Sequence, residues 1–415
     1  MGAIRLSYST FGLTNLDFLD ALEAVDRAGY AGVEIAFHRD QFNPFDIDDD
    51  YLARVRRRLD ELQVQPACVA TASHFFDPQR PHEPSLMAVE RAARKRRIDL
   101  VKRGIHVARR LGVPLVSFGS GFIRDEHVAN PGTDPGALLV DSIRECLHEI
   151  RNDEDITLLI EPEPGMYIET LAHGLELMRR VRSPRFKLHV DLCHAYCSEP
   201  DYLAALAAAA PHARYLHISD ASAGYNLKVV QDAEDLAFDL DSANVLVHFP
   251  DTADYLLVDR AHPVHFRDQA PTPARRAHID ALLKRAGVTK PVASVEYASL
   301  YAGASPLDDE LFTWMISMPE LSFDVLERAR PIVAYLRGAR QAPRVKRMVA
   351  NTRTGIVHFH DIPGHGTLDF AASFRTLARA GFSGYGSVEL YHHVASWREA
   401  LAESYRYLAP LAAAY

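Results

Sequence analysis

The sequence predicts an α/β chain, a (β/α)8 TIM barrel with a large α+β insertion after strand 7. Three observations carry this reading. Short apolar runs alternate with amphipathic helical stretches seven times by residue 220, at the spacing of parallel βαβ units. The apolar runs stop at side chains capable of chemistry, as barrel strands do at their catalytic face. An eighth strand and helix arrive only near the end of the chain, after a long excursion.

The elements follow in order. Ile4–Ser9 is an apolar strand, and Leu16–Ala28 has helical periodicity stopped by Gly29. GVEIAF (Gly32–Phe37) is the second strand, and Tyr51–Leu62 is a basic amphipathic helix. Val64–Ser73 is the third strand, closing at His74. A long helix, Ser85–Leu111, is expected to start at a Ser85 cap. The fourth strand is Val113–Gly121, followed by a helix at Pro135–Ile150. ITLLIEPEPG (Ile156–Gly165) is the fifth strand, followed by a helix at Leu171–Val181. The sixth strand lies in FKLHVDLCHAYC. An alanine-rich helix, Tyr202–Ala210, ends at Pro211, and RYLHISD carries the seventh strand. YGSVEL (Tyr385–Leu390) reads as the eighth strand, between helices at Phe370–Ala380 and Trp397–Leu408.

Residues 1–220 and 355–415 therefore make the barrel, close to the usual barrel length of about 250 residues. Residues 221–354 are an insertion, expected to be a lid or an oligomerisation subdomain. Leu236–Asp268 reads as short strands and Pro273–Leu336 as mostly helical. The insertion leaves from the face where barrel loops set specificity.

Composition narrows the function. The chain has 415 residues, 48% hydrophobic and 24% charged, which is ordinary for a soluble protein. A net charge of -9 argues against a nucleic-acid surface, which needs a clustered basic face. Four cysteines are too few for a disulfide framework, so a reducing cytoplasm is the expected location. No signal peptide and no membrane-spanning run is found. Nucleotide-binding glycine loops and the G-x-S-x-G elbow are absent from the sequence.

Chemistry gathers at four strand ends. Glu161 ends strand five, Asp191 strand six, His217 strand seven and Glu389 strand eight. Three carboxylates with one imidazole suit a divalent ion, Mn²⁺ foremost, with Mg²⁺, Co²⁺ or Zn²⁺ as alternatives. Glu163 shares the strand face of Glu161 and stands ready to touch substrate. Glu34 and His38, in and after strand two, read as ordinary polar positions at the rim. His358-x-x-Asp361 repeats the form of His217-x-x-Asp220, so either histidine fits strand seven. His217 fits the spacing, following Asp191 by one helix and one strand.

AGYAGVEIAF, LLIEPEPG, the Asp191-x-x-His194 pair, LHISD, PGHGTLDF and GFSGYGSVELY together resemble the xylose isomerase-like barrel superfamily. That superfamily includes sugar and sugar-phosphate isomerases and epimerases, inosose dehydratases and endonuclease IV, the type member of the AP endonuclease family 2 barrel. The resemblance covers residues 1–220 and 355–415. It implies a metal bound by Glu161, Asp191, His217 and Glu389. It further implies that Glu161 and Glu389 act as acid and base across a substrate carbon. His194, His358, His360 and His74 match positions that bind substrate or further metals. Two departures stand out: His365 replaces a usual glutamate, and Gly119 occupies a position where endonuclease IV has a metal-binding histidine.

The expected activity is isomerisation or epimerisation of a small carbohydrate-like substrate through an enediolate. Elimination from a cyclitol or sugar-like substrate uses the same first proton abstraction, and endonuclease IV-like phosphoester hydrolysis uses the same donors. A metabolite-binding barrel without catalysis is the non-enzyme alternative. Neither nucleic acid nor membrane is an expected partner, and a homo-oligomer is left open.

Overall fold

A computed structural model of the protein describes residues 4–71, 75–76, 82–221, 227–231, 244–249, 254–258, 263–267, 270–296 and 360–415. Contacts divide the chain into two compact units, Met1–Ala221 with His358–Tyr415, and Ser222–Val357.

The first unit is a closed eight-stranded parallel barrel. Its strands are β1 (Ile4–Ser9), β2 (Gly32–Ala36), β3 (Gln65–Ala70), β4 (Leu115–Gly119), β5 (Thr157–Glu161), β6 (Phe186–Asp191) and β7 (Ala213–Ile218). The eighth barrel strand, Gly384–Val388, lies between β7 and β1. The strands are almost wholly buried, as expected of a parallel sheet wrapped by helices. The strand-seven ambiguity resolves to His217: Asp191 on β6 is in register with His217 on β7. His358 lies outside the described residues.

Local chemistry explains the element boundaries. Asp17, Asp48, Asp134, Thr170 and Asp201 each accept a backbone N–H as helix N-caps. The expected helix start at Ser85 is a correction. The helix is Arg91–Leu111, capped by Glu90, which accepts from the Ala92 and Ala93 amides. Ser85 caps a turn instead, accepting from the Met87 amide at 3.2 Å. Side chains hold the carbonyls of this turn out of a helix. Ser142 Oγ donates to Leu86 O at 2.8 Å, and His127 Nε2 donates to Met87 O at 3.0 Å. The final helix, expected to end at Leu408, runs over Trp397–Ala413 with Pro410 inside it. Among the described residues no helix is long and apolar enough to cross a membrane.

The second unit carries a five-stranded sheet. Its strands are β8 (Leu227–Gln231), β9 (Asn244–Phe249), β10 (Asp254–Val258), β11 (Val264–Arg267) and β12 (Ala293–Glu296), in the order β12-β11-β10-β9-β8. Val247, Phe249, Leu256 and Val258 pack with Ile279, Leu282 and Leu283 of the helix Pro273–Arg285 into a separate core. The stretch expected to be mostly helical thus contains a strand at Ala293–Glu296. From residue 297 on, that stretch lies outside the described residues.

Candidate metal and acid–base site

The barrel topology brings strand-end donors to one place. Glu161 is the last residue of β5 and Asp191 the last of β6. His217 is one residue from the end of β7, and Glu389 immediately follows the eighth strand. Asp191 also caps the short helix Leu192–Ser198, its Oδ1 accepting from the His194 amide at 3.0 Å. Capping fixes the carboxylate's orientation. Its Oδ2 is buried and has no hydrogen-bond partner among the described residues.

His217 is the centre of the cluster. Its Nδ1 lies 2.9 Å from Glu161 Oε1, 3.5 Å from Glu389 Oε2 and 3.9 Å from Asp191 Oδ2. Its Nε2 lies 2.9 Å from Glu34 Oε2. Burial alone would lower the imidazole pKa, but Glu34, Glu389 and Glu161 outweigh it and hold it well above its ordinary value. The two glutamates are held differently. Burial raises the Glu161 carboxyl. Burial also works to raise Glu389, but His217 and His360 overcome it and keep that carboxyl low.

A second group of donors adjoins the first. His194 Nε2 and His360 Nε2 are 3.1 Å apart, and Asp191 Oδ2 lies 3.7 Å from His194 Nε2. His360 Nδ1 is 3.3 Å from Glu389 Oε2. The imidazole of His360 is pushed up to about 9: burial opposes the rise, while the Glu389 hydrogen bond and the charge of Asp191 drive it. Among the described residues, donor atoms within 4.8 Å of one another form three groups: Glu161, His189 and His217; Asp191, His194 and His360; Glu34, His217 and Glu389. The four expected ligands are not one of these groups. They meet instead around His217 Nδ1.

The loop carrying His360 is tied down by Asp220. Asp220 and Asp361 exchange backbone hydrogen bonds at 2.8 and 2.9 Å. The Asp220 carboxylate accepts from the amides of Gly364 and Gly366 at 2.9 Å, Leu368 at 3.1 Å and Ala221 at 2.8 Å. Gly366 has no room for a side chain, since a Cβ there would lie 2.3 Å from Asp220 Oδ1. This is the physical content of PGHGTLDF.

The sequence reading misplaced one buried residue, Glu34, and missed another, His189. Glu34 is not at a rim but fully buried, on the barrel interior beside His217. His189, two residues before Asp191 and on the same strand face, stacks edge-on against His217 with ring centroids 4.0 Å apart. Its Nδ1 is 2.7 Å from Ser117 Oγ and 3.6 Å from Glu161 Oε2. For Glu34 the available signal was a lone polar residue inside an apolar strand, which needs a buried partner. His38 accepts from the Asp40 amide at 3.3 Å, exchanges backbone hydrogen bonds with Phe42, and lies against the Phe11 ring with centroids 6.4 Å apart. Glu163 lies 3.4 Å from His82. His74 and His358 fall outside the described residues.

Comparison with known proteins agrees with this barrel. A search of curated proteins finds no significant match. Solved structures with the same fold include a xylose isomerase domain protein from Alicyclobacillus acidocaldarius, with a TM-score of 0.52 and 13% identity, covering 99% of this chain and 100% of that one. A xylose isomerase domain protein from Planctomyces limnophilus gives 0.54 and 13%, covering 99% and 97%. The IolI protein, solved with a zinc atom bound, gives 0.54 and 14%, covering 99% of both chains. The family sequence model described as "Xylose isomerase-like TIM barrel" matches residues 22–244, more than half of the chain. On that match, and with eight parallel strands closed into a barrel, the chain belongs to the xylose isomerase-like TIM-barrel family.

Proposed function

We propose that the protein is a divalent-metal-dependent isomerase or epimerase of a sugar or sugar-like substrate, with Glu161 and Glu389 as its acid–base pair. The observation that carries this reading is the donor set around His217 Nδ1: Glu161 at 2.9 Å, Glu389 at 3.5 Å and Asp191 at 3.9 Å. Donors bound to one small divalent ion lie about 3 Å from their neighbours. The four donors fan out from one imidazole nitrogen without all lying within 4.8 Å of one another, so an ion would draw them together, and Asp191 Oδ2, buried with no hydrogen-bond partner among the described residues, is the acceptor it would satisfy. Three carboxylates and one nitrogen suit Mn²⁺, with Mg²⁺, Co²⁺ and Zn²⁺ as alternatives. The similarly folded IolI structure holds zinc. When bound, such an ion polarises a carbonyl oxygen and acidifies the adjacent C–H group.

The chain's own residues handle the proton. Glu389 and Glu161 reach the site from opposite sides of β7 in the strand order. One of Glu161 and Glu389 takes the proton as the C–H bond breaks, and the other delivers a proton to the opposite face of that carbon, or to the neighbouring carbon, as a new C–H bond forms.

Two measurements test this. Asp191→Asn and His217→Ala should each reduce Mn²⁺ affinity about tenfold or more; full metal retention in both sinks the metal assignment. Turnover of ketoses and inososes in D₂O should place deuterium on carbon, and Glu389→Gln should abolish that exchange. Water loss from an inosose, or cleavage of abasic DNA, would replace isomerisation by elimination or hydrolysis at the same site.

A further inference from the structure

Strand β4 ends at Gly119, in register with Glu161 of β5. The strands β5, β6 and β7 each bring a polar side chain to the upper end of the barrel; β4 ends without one. The space is filled from elsewhere in the chain. A Cβ on residue 119 would lie 2.9 Å from Cε1 and 3.0 Å from Nδ1 of His82. Gly119 is therefore the residue that admits the His82 imidazole.

His82 is held there by construction. It is 8% exposed and has a left-handed backbone with φ of 61°. A residue with a side chain keeps that conformation only where its surroundings impose it. Arg124 Nε donates to Glu83 Oε1 at 2.8 Å in a nearly buried ion pair. Arg97 Nε donates to Pro84 O at 2.8 Å, and Ser142 holds the Leu86 carbonyl. The Phe122 ring meets the imidazole edge-on, with centroids 5.5 Å apart. So many polar side chains fixing one short turn set the direction of His82. Its Nε2 points at Glu163 Oε2, 3.4 Å away. Glu163 stands two residues beyond Glu161, the last residue of β5. The pair thus borders the donor cluster on the β4–β5 side.

We propose that His82 and Glu163 form a hydroxyl-reading pair that sets substrate specificity, a role resting on the sugar-like substrate proposed above. The carboxylate accepts the hydroxyl proton while the imidazole N–H donates to the hydroxyl oxygen, matching both halves of one O–H group. The hydroxyl read this way belongs to a carbon that does not exchange its proton. The Glu163 anion makes this wall fit a neutral polyol rather than a phosphorylated one. The contact is the same before and during the proton transfer, so it lowers KM and leaves kcat alone.

The experiment uses the full chain at saturating Mn²⁺, with D-xylose, D-fructose and myo-inositol as probes and calorimetry as the readout. For the probe that binds wild type best, His82→Leu should weaken binding about 10- to 100-fold, the range for a hydrogen bond to a charged group. His82→Gln, which keeps an N–H donor, should stay within about threefold. Gly119→Ala leaves His82 in the chain but displaces its imidazole, and should reproduce the His82→Leu loss. The double variant His82→Leu/Glu163→Leu should lose little beyond the single changes, because the two side chains act as one device. Mn²⁺ affinity should not change in any variant. Unaltered probe affinity in His82→Leu and Gly119→Ala overturns the pair and leaves the proposed function standing. A fall in Mn²⁺ affinity also overturns it, by making His82 part of the metal centre. Failure of wild type to bind any probe or turn over any ketose or inosose removes the proposed function, and this inference with it.

Discussion

Glu34 sits in the middle of GVEIA, a strand in which every residue is buried. A carboxylate in that position is costly unless something compensates it, and the compensation is His217 Nε2 at 2.9 Å. Since Nε2 is engaged by Glu34, Nδ1 is the nitrogen turned to Glu161, Asp191 and Glu389. A carboxylate behind a ligating histidine fixes the ring and raises its basicity. Glu34→Gln should therefore weaken Mn²⁺ binding about tenfold and Glu34→Ala closer to 100-fold, with the barrel still folded. Equal Mn²⁺ isotherms for wild type and both variants would remove Glu34 from the site. The four strand-end donors were legible in sequence because apolar runs stop visibly at them. Glu34 was not, because it lies inside its run and its partner is 183 residues further along the chain.

At the level of elements, the feature that positions His360 is the tie between Asp220 and the Gly364–Leu368 amides. One side chain accepts three backbone N–H groups of a loop 144 to 148 residues away. It thereby sets both the path of the loop and the left-handed backbone of His360, with φ of 52°. Gly366→Ala would place a Cβ 2.3 Å from Asp220 Oδ1 and 2.6 Å from the Ala221 carbonyl. The expected cost is on the order of 3 kcal/mol from overpacking and lost charge-assisted bonds. Hydrogen exchange is the direct readout. The amides of Gly364, Gly366 and Leu368 should lose protection while those of β5 and β6 keep theirs; unchanged protection in the loop refutes the tie. The loop's importance was readable from its resemblance to a family loop, but Asp220 as its anchor was not. The misplaced start of the helix Arg91–Leu111 has a similar origin. Ser85 is a good cap by type, but the residues that hold the Leu86 and Met87 carbonyls are Ser142 and His127, remote in sequence.

For the molecule as a whole, the barrel was legible because its period repeats: each strand–helix unit predicts the next, and a missing eighth unit announces an excursion. The excursion's own fold was less legible, since short runs such as NVLVHF fit a strand without revealing its neighbours. Replacing residues 221–354 by a short Gly/Ser linker should leave Mn²⁺ affinity intact and abolish turnover of the native substrate, if the segment serves as lid or dimer arm. Unchanged turnover together with unchanged oligomeric mass would exclude both roles. The bridge between Asp220 and Asp361 bears on how such a chain arises. The points where the polypeptide departs from the barrel and rejoins it are hydrogen-bonded neighbours. A barrel interrupted at that point sees the same two adjacent ends whatever lies between them, and the entropy of closing a longer loop grows only slowly with its length. Any module with neighbouring termini is a candidate passenger there. The bridge is in effect a socket, which holds the two ends of this barrel together whatever subdomain is carried between them.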